Sequence, residues 1–233
     1  REVSSGRRKG ILPLKASGLM RRSSAERGRG SGIVAGASMA IWKPADWILA
    51  VVRSAKSQNR VAGGKIMDVA SYDGRFDKLW EELAEAQAIL VVRDSSYLNW
   101  RYSESPFAGI QTFELSREDQ LLGFSVIHLA VDEDRLRFAA ILELAGPRGE
   151  SVVTEHLLGE AIRRAVAAGA HYVIVRASTP EEEDSFRRLG FRAREMRYSP
   201  ITYKNNSDVP KELFEKDRNW YLTLGDGDGC YYL

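Results

Sequence analysis

Hydrophobic and polar positions alternate unevenly along the chain, and the pattern sharpens from about residue 73 onward. Residues 1–32 are rich in Gly, Ser and Arg and have no apolar period, which predicts a disordered basic arm. Pro44 followed by Trp47, Ile48, Val51 and Val52 predicts a helix over 44–56, and after the Ala62-Gly63-Gly64 break Lys65–Ala70 reads as a short strand. Residues 33–70 together read as a linker or the remnant of a preceding domain, and residues 71–233 as one compact domain.

Within 71–233, Asp73 stands as the cap of a helix whose residues Phe76, Leu79, Trp80 and Leu83 fall at i, i+3, i+4 and i+7, a single apolar stripe. Ile89–Val92 is a short apolar run, after which Asp94 and Ser95 cap a short helix carrying Tyr97, Leu98, Trp100 and Tyr102 as far as Pro106. Ile110–Leu115, Leu121–Val131 and Arg137–Leu144 are strand-like and close in sequence, which predicts an antiparallel meander. The period then changes. Val152–Ala168 reads as a helix with Leu158, Ala161, Ile162 and Ala165 on one side and Gly169 as its stop. His171–Ala177 is apolar on both faces, as a strand covered twice must be. Thr179, Pro180 and Glu182 form a helix-start signal, Phe186 and Leu189 the inner edge of that helix, and Gly190 its end. Phe191–Tyr198 and Trp220–Leu224 read as closing strands. The expected fold class is α/β (α+β): a mixed sheet with an antiparallel meander first, parallel strands at its centre and helices on its flanks.

Composition narrows the classes. With 233 residues, 44% of them apolar and 28% charged, the chain can bury roughly 70% of its unfolded surface without staples. Cys230 is the single cysteine, so an internal disulfide and a cysteine-based zinc cluster are both excluded, and a reducing, cytoplasmic setting is expected. No apolar run approaches the ~20 residues of a membrane span. Residues 1–30 hold nine Lys/Arg and two acids, which leaves the rest of the chain at −5 against a total of +2. A basic, aromatic-free arm fits a solvated terminus or a contact with nucleic acid or anionic lipid, but the acidic body gives no reason to expect a nucleic-acid partner. The chain does not begin with Met, which fits a fragment or a processed piece.

A meander, a helix, a buried strand, a second helix ending in Leu-Gly-Phe and closing strands together resemble the Gcn5-related N-acetyltransferase (GNAT) family. The resemblance is carried by Phe186-Arg187-Arg188-Leu189-Gly190-Phe191 and by the Leu142–Gly149 junction, which lies where such proteins pass from the fourth strand into a phosphate-binding loop. Arg93-Asp94, Tyr97–Tyr102 with Pro106, and Trp220–Asp226 look like a less characterised bacterial branch whose members often carry two such domains, as FemAB-like proteins do. The resemblance implies an acyl-CoA-dependent N-acyltransferase using acetyl-CoA as co-substrate and a small amine or amino sugar as acceptor, with a further N-terminal GNAT-like domain missing. The alternative is a non-catalytic ligand-binding or scaffold half of such a protein.

For the co-substrate, the resemblance points to Leu144, Gly146, Arg148, Gly149, Glu150, Ser151, Val152 and Phe186. A Gly-rich turn feeding a helix N-terminus offers backbone N–H groups and the positive end of the helix dipole to a pyrophosphate. Against this, Pro147 removes one donor and Glu150 adds a negative charge, as in a plain surface turn. Phe186 replaces the tyrosine that in many members protonates the leaving thiolate, so Tyr198, Tyr203, another hydroxyl or solvent must serve, or transfer has been lost; as structure, Phe186 is a core residue. A base is needed to free the acceptor amine. Glu143, an acid in an apolar strand, gains basicity from burial if it is not on an exposed pleat or paired with Arg137 or Arg176, and His128 in the Phe124–Val131 run is the second candidate, with a hydrogen-bonded core histidine as its alternative. Tyr97, Trp100, Arg101 and Tyr102 line an acceptor cleft or belong to the core. The three histidines share no metal-ligand spacing, and Asp226-Gly227-Asp228-Gly229 lacks the glutamate of a calcium loop, so no metal is expected.

Overall fold

The computed structural model describes residues 2–3, 8–14, 61–147, 149–195, 201–202, 210–216 and 219–227. In chain order these form β1 (Glu2–Val3), β2 (Arg8–Pro13), β3 (Lys65–Asp68), α1 (Gly74–Ala86), β4 (Ile89–Leu90) and α2 (Ser95–Leu98), which runs into a π-helical turn at Asn99–Ser103. The meander β5 (Ile110–Arg117), β6 (Gln120–Val131) and β7 (Arg137–Ala145) comes next, then α3 (Ser151–Ala167), β8 (Tyr172–Arg176), α4 (Pro180–Arg188) and β9 (Arg192–Glu195). The remaining elements are β10 (Ile201–Thr202), α5 (Lys211–Glu215), β11 (Trp220–Tyr221) and a 3-10 turn at Leu224–Asp226.

The expected mixed α/β class holds. Seven strands form one sheet in the order β3-β5-β6-β7-β8-β2-β9, while β1 pairs with β10 and β11 with β4. The parallel pairing expected at the centre is that of β7 with β8, the one parallel pair of this sheet among the described residues. β8 and β9 are not paired with each other: β2 lies between them and runs antiparallel to both, with Leu12 opposite Val173 and Ile11 opposite both Ile174 and Arg192.

That insertion corrects the reading of residues 1–32 as a disordered arm. Gly10 through Leu14 are buried, with Leu12 at 0% and Leu14 at 1% exposure. Three large apolar side chains in a five-residue window gain enough from burial, about 1.5–3 kcal/mol each, to order a strand that also closes two hydrogen-bond ladders. Residues 15–32 lie outside the described part. The linker reading of 33–70 is likewise corrected at its end, where β3 pairs with β5 from Lys65↔Ser116 to Asp68↔Phe113. The helix expected over 44–56 lies outside the described residues. The strand expected over Phe191–Tyr198 is described as Arg192–Glu195, and the one expected over Trp220–Leu224 is two residues long and joins β4 instead of the main sheet.

The helices cover both sheet faces. The side chain of Asp73 accepts from the Arg75 amide at 2.9 Å and starts α1, which buries Phe76, Leu79 and Leu83. They pack with Tyr72, Leu98, Tyr102, Phe124 and Phe138 on one face. On the other face α3 buries Leu157, Leu158, Ala161, Ile162 and Ala165 against Leu12, Phe113, Ile141 and Val175. This is the three-layer solution for a sheet whose strands are apolar on both sides. Among the described residues no helix is long and apolar enough to cross a membrane.

Candidate active site

β7 and β8 run side by side only from Phe138↔Tyr172 to Ala140↔Ile174. Just beyond, β7 carries an extra residue: Val126 pairs with Glu143 while Ile127 pairs with Ile141, so Leu142 is a bulge. A bulge re-aims the side chains that follow it, and here it puts Glu143 on the same side as Val126 and Ala140. The carboxyl ends of the two strands thus frame an opening, into which the turns leading to α3 and α4 converge.

The turn into α3 is closed by the Glu150 amide donating to the Pro147 carbonyl at 3.3 Å, with Gly149 in the left-handed region at φ 85°. A Cβ on Gly149 would meet nothing within 4 Å, so this turn faces open space. The turn into α4 carries the expected capping box: the Glu182 amide donates to Thr179 Oγ1 at 3.2 Å and the Thr179 amide to Glu182 Oε2 at 3.3 Å. Gly146, Gly149, Glu150 and Ser151 from the first turn and Thr179 and Glu182 from the second line one pocket, closed by Leu83 and Gln87 of the α1 end and by Tyr221. It holds about 520 Å3 counted out to open solvent. Two helix N-termini favour an anion here, whereas the carboxylates of Glu150, Glu181 and Glu182 along the same lining oppose one. Arg148, the expected counter-charge, lies outside the described residues.

Glu143 does not line this pocket; it is fully buried at the centre of a charged cluster. Arg93 Nε donates to its Oε2 at 2.9 Å and the Tyr102 hydroxyl to its Oε1 at 2.7 Å. The π-helical turn places Tyr102 inward while Trp100 stays 61% exposed. Arg93 Nη2 reaches Asp226 Oδ1 and Oδ2 at 2.8 Å each and Thr223 Oγ1 at 3.1 Å. Asp226 in turn accepts from the Thr223 amide at 2.7 Å. Burial pushes the Glu143 carboxyl above its ordinary pKa; Arg93 opposes this, and the like charge of Asp226 adds to it. Arg93 remains protonated despite burial because it faces both Glu143 and Asp226. Burial also raises the Tyr221 hydroxyl far above its usual range.

The other candidates are scattered. His128 is buried on β6 opposite Ile110 and Ala140 and does not line the pocket. Leu144 is buried, and its carbonyl accepts from the Tyr221 hydroxyl at 2.9 Å. Val152 is 44% exposed, outside the lining. Phe186 packs in the α3-side core with its ring 5.6 Å from that of Phe191, while its neighbour Ser185 reaches the pocket. The sequence reading missed Arg93 and Tyr102 as the partners of Glu143, and Thr223 and Asp226 as those of Arg93, since no local spacing joins residues so far apart.

No protein-family model matches the chain, and no curated protein matches it. Among solved structures it is similar to an acetyltransferase from Trypanosoma brucei (17% identity over 58% of this chain and 96% of that one, TM-score 0.45). It is similar also to a ribosomal-protein-alanine N-acetyltransferase from Brucella melitensis biovar Abortus 2308 (14% identity, 60% of this chain and 99% of that one, TM-score 0.44). A third is an aminoglycoside acetyltransferase from an uncultured soil metagenomic sample in complex with sisomicin, at 17% identity over 63% of this chain and 97% of that one, with a TM-score of 0.46.

Proposed function

We propose that this chain is an acyl-CoA-dependent N-acyltransferase of the GNAT type, acting on a small amine or amino-sugar acceptor in the cytoplasm, with a further GNAT-like domain as partner. The observation that carries the reading is the opening at the carboxyl ends of β7 and β8, where the Gly146–Ser151 turn and the N-terminus of α4 meet at one pocket. The backbone around Gly149 and the first turn of α3 would receive the pyrophosphate of acetyl-CoA. The acceptor nitrogen would attack the thioester carbonyl, the C–S bond would break, and the CoA thiolate would leave while the amine gives up a proton. Of the two candidate bases, Glu143 is raised above its ordinary pKa by burial, the direction a base needs, but it is fully buried against Arg93 and Tyr102 and shielded from any acceptor.

Calorimetric titration with acetyl-CoA tests this reading. Gly149→Val forces a β-branched residue into a left-handed backbone and fills the space before the turn, so affinity should drop about tenfold or more, the loss of one or two hydrogen bonds to a charged phosphate. Absence of saturable binding by the unaltered chain refutes the reading. Binding without transfer to any amine would favour the second reading, a non-catalytic ligand-binding or scaffold half. That reading has its own support in the engaged Glu143 carboxylate and the three pocket glutamates.

A further inference from the structure

The opening between β7 and β8 is filled by a segment far away in sequence. Tyr221 donates to the Leu144 carbonyl at 2.9 Å from one side, and on the other the Ser178 hydroxyl, just past β8, donates to the Leu222 carbonyl. Gly225 lies so close to Leu142 and Glu143 that an added Cβ would collide with the Tyr102 hydroxyl and stand 2.5 Å from Glu143 Oε1. The segment buries Tyr221 and Leu222 and is tied down by polar groups as well. Arg93 holds Thr223 and Asp226, its guanidinium lies 5.3 Å from the Tyr221 ring centre, and Arg101 Nη2 donates to the Gly225 carbonyl at 3.0 Å. Its own strand, β11, pairs with β4 through two residues only. Beside that short ladder and these hydrogen bonds, one buried cluster of three charges, two of them negative, holds it down.

We propose that Asn219–Gly227 is a lid that opens as a unit while the sheet stays folded, and that it competes with the acyl thioester for the carboxyl half of β7. Closed, it covers Glu143 and engages Leu144; open, it exposes both to a ligand entering from the pocket that Tyr221 walls. Asp226 is the catch, since both of its oxygens lie on the same Arg93 nitrogen. The competition rests on the acyltransferase reading, while the opening stands apart from it.

Native-state hydrogen exchange on the full chain, with acetyl-CoA titration alongside, separates the two. In the unaltered protein the amides of Tyr221–Asp226 should exchange together, and before those of β5 and β6. Asp226→Asn weakens the catch and Tyr221→Phe removes one hydrogen bond, so each should speed that exchange by about tenfold or more without moving the β5–β6 amides, and each should tighten acetyl-CoA binding. Exchange of the segment only together with β5 and β6 overturns the lid. Binding that is unchanged or weaker in both variants, with the unaltered chain binding, overturns the competition and makes the segment a fixed wall of the site. If no form binds acetyl-CoA, the acyltransferase reading falls, and the lid is decided by the exchange pattern alone.

Discussion

Leu12→Ala is the most direct test of how the two halves of the sheet are joined. Leu12 has no exposed surface, sits opposite Val173 on β8, and packs with Leu14, Ile141 and Val175 in the α3-side core. Deleting such a side chain costs about 2–5 kcal/mol, the higher end applying where the surroundings cannot collapse into the space. A strand held by ladders on both edges has little freedom to collapse, so the upper half of that range is expected. With a urea slope of about 2.5 kcal/mol per molar, the midpoint should fall by roughly 1.4–2 M at unchanged slope. Val131→Ala, at a residue 55% exposed on β6, is the control and should stay within about 0.5 kcal/mol. Urea unfolding followed by tryptophan fluorescence and by far-ultraviolet circular dichroism reads both. If Leu12→Ala moves the midpoint no more than Val131→Ala does, or if removing residues 1–14 leaves it in place, then β2 does not close the sheet.

Two further outcomes follow from the site. Because burial holds the Glu143 pKa above its usual 4.5, the folded state keeps this proton better than the unfolded one; that stabilisation is complete below about pH 4.5 and lost as pH rises through the folded value. Unfolding free energies from pH 4 to 8 should therefore show the unaltered protein losing ground to Glu143→Gln as pH rises, and a gain would show that Arg93 outweighs burial. Phe186→Tyr should place a hydroxyl in the core beside Phe191, costing about 1–3 kcal/mol or roughly 2–10 °C in melting temperature; a faster release of CoA with no loss of melting temperature would instead put the ring at the thiolate.

What could be read in advance was local. Asp73, Thr179 and Glu182 cap their helices through neighbours two to three residues away, and the three meander strands are joined by turns too short to permit another pairing. β2 escaped notice because Arg8, Lys9 and Gly10 give no alternation and the strand meets its partners only near the far end of the chain. The site divides the same way. The glycine turn of the pocket was visible as a run of residues, and the suspicion that Glu143 is buried came from its apolar neighbours. Its partners were out of reach, since Arg93 is 50 residues away from Glu143 and 133 from Asp226, and no periodicity carries over such distances. The Arg93 and Trp220–Asp226 stretches stood out in the sequence only as likeness to a branch, with no sign that they touch.

The placing of β2 between β8 and β9 also sets the order in which the molecule can be finished. β2 is made well before its partners, the first of which begins at Tyr172 and the second at Arg192. At about 5–20 residues per second, a growing chain carries Ile11, Leu12 and Leu14 without their partners for roughly 8 to 30 s. For that interval an apolar strand with both edges open is exposed to the surrounding solution, the condition under which strands pair with the wrong chain. The Arg8 and Lys9 that begin this strand put charge beside it at that stage, a guard of the kind that edge strands carry. Ladder formation across more than 150 residues is slow for the same topological reason, so the capture of β2 comes late in folding.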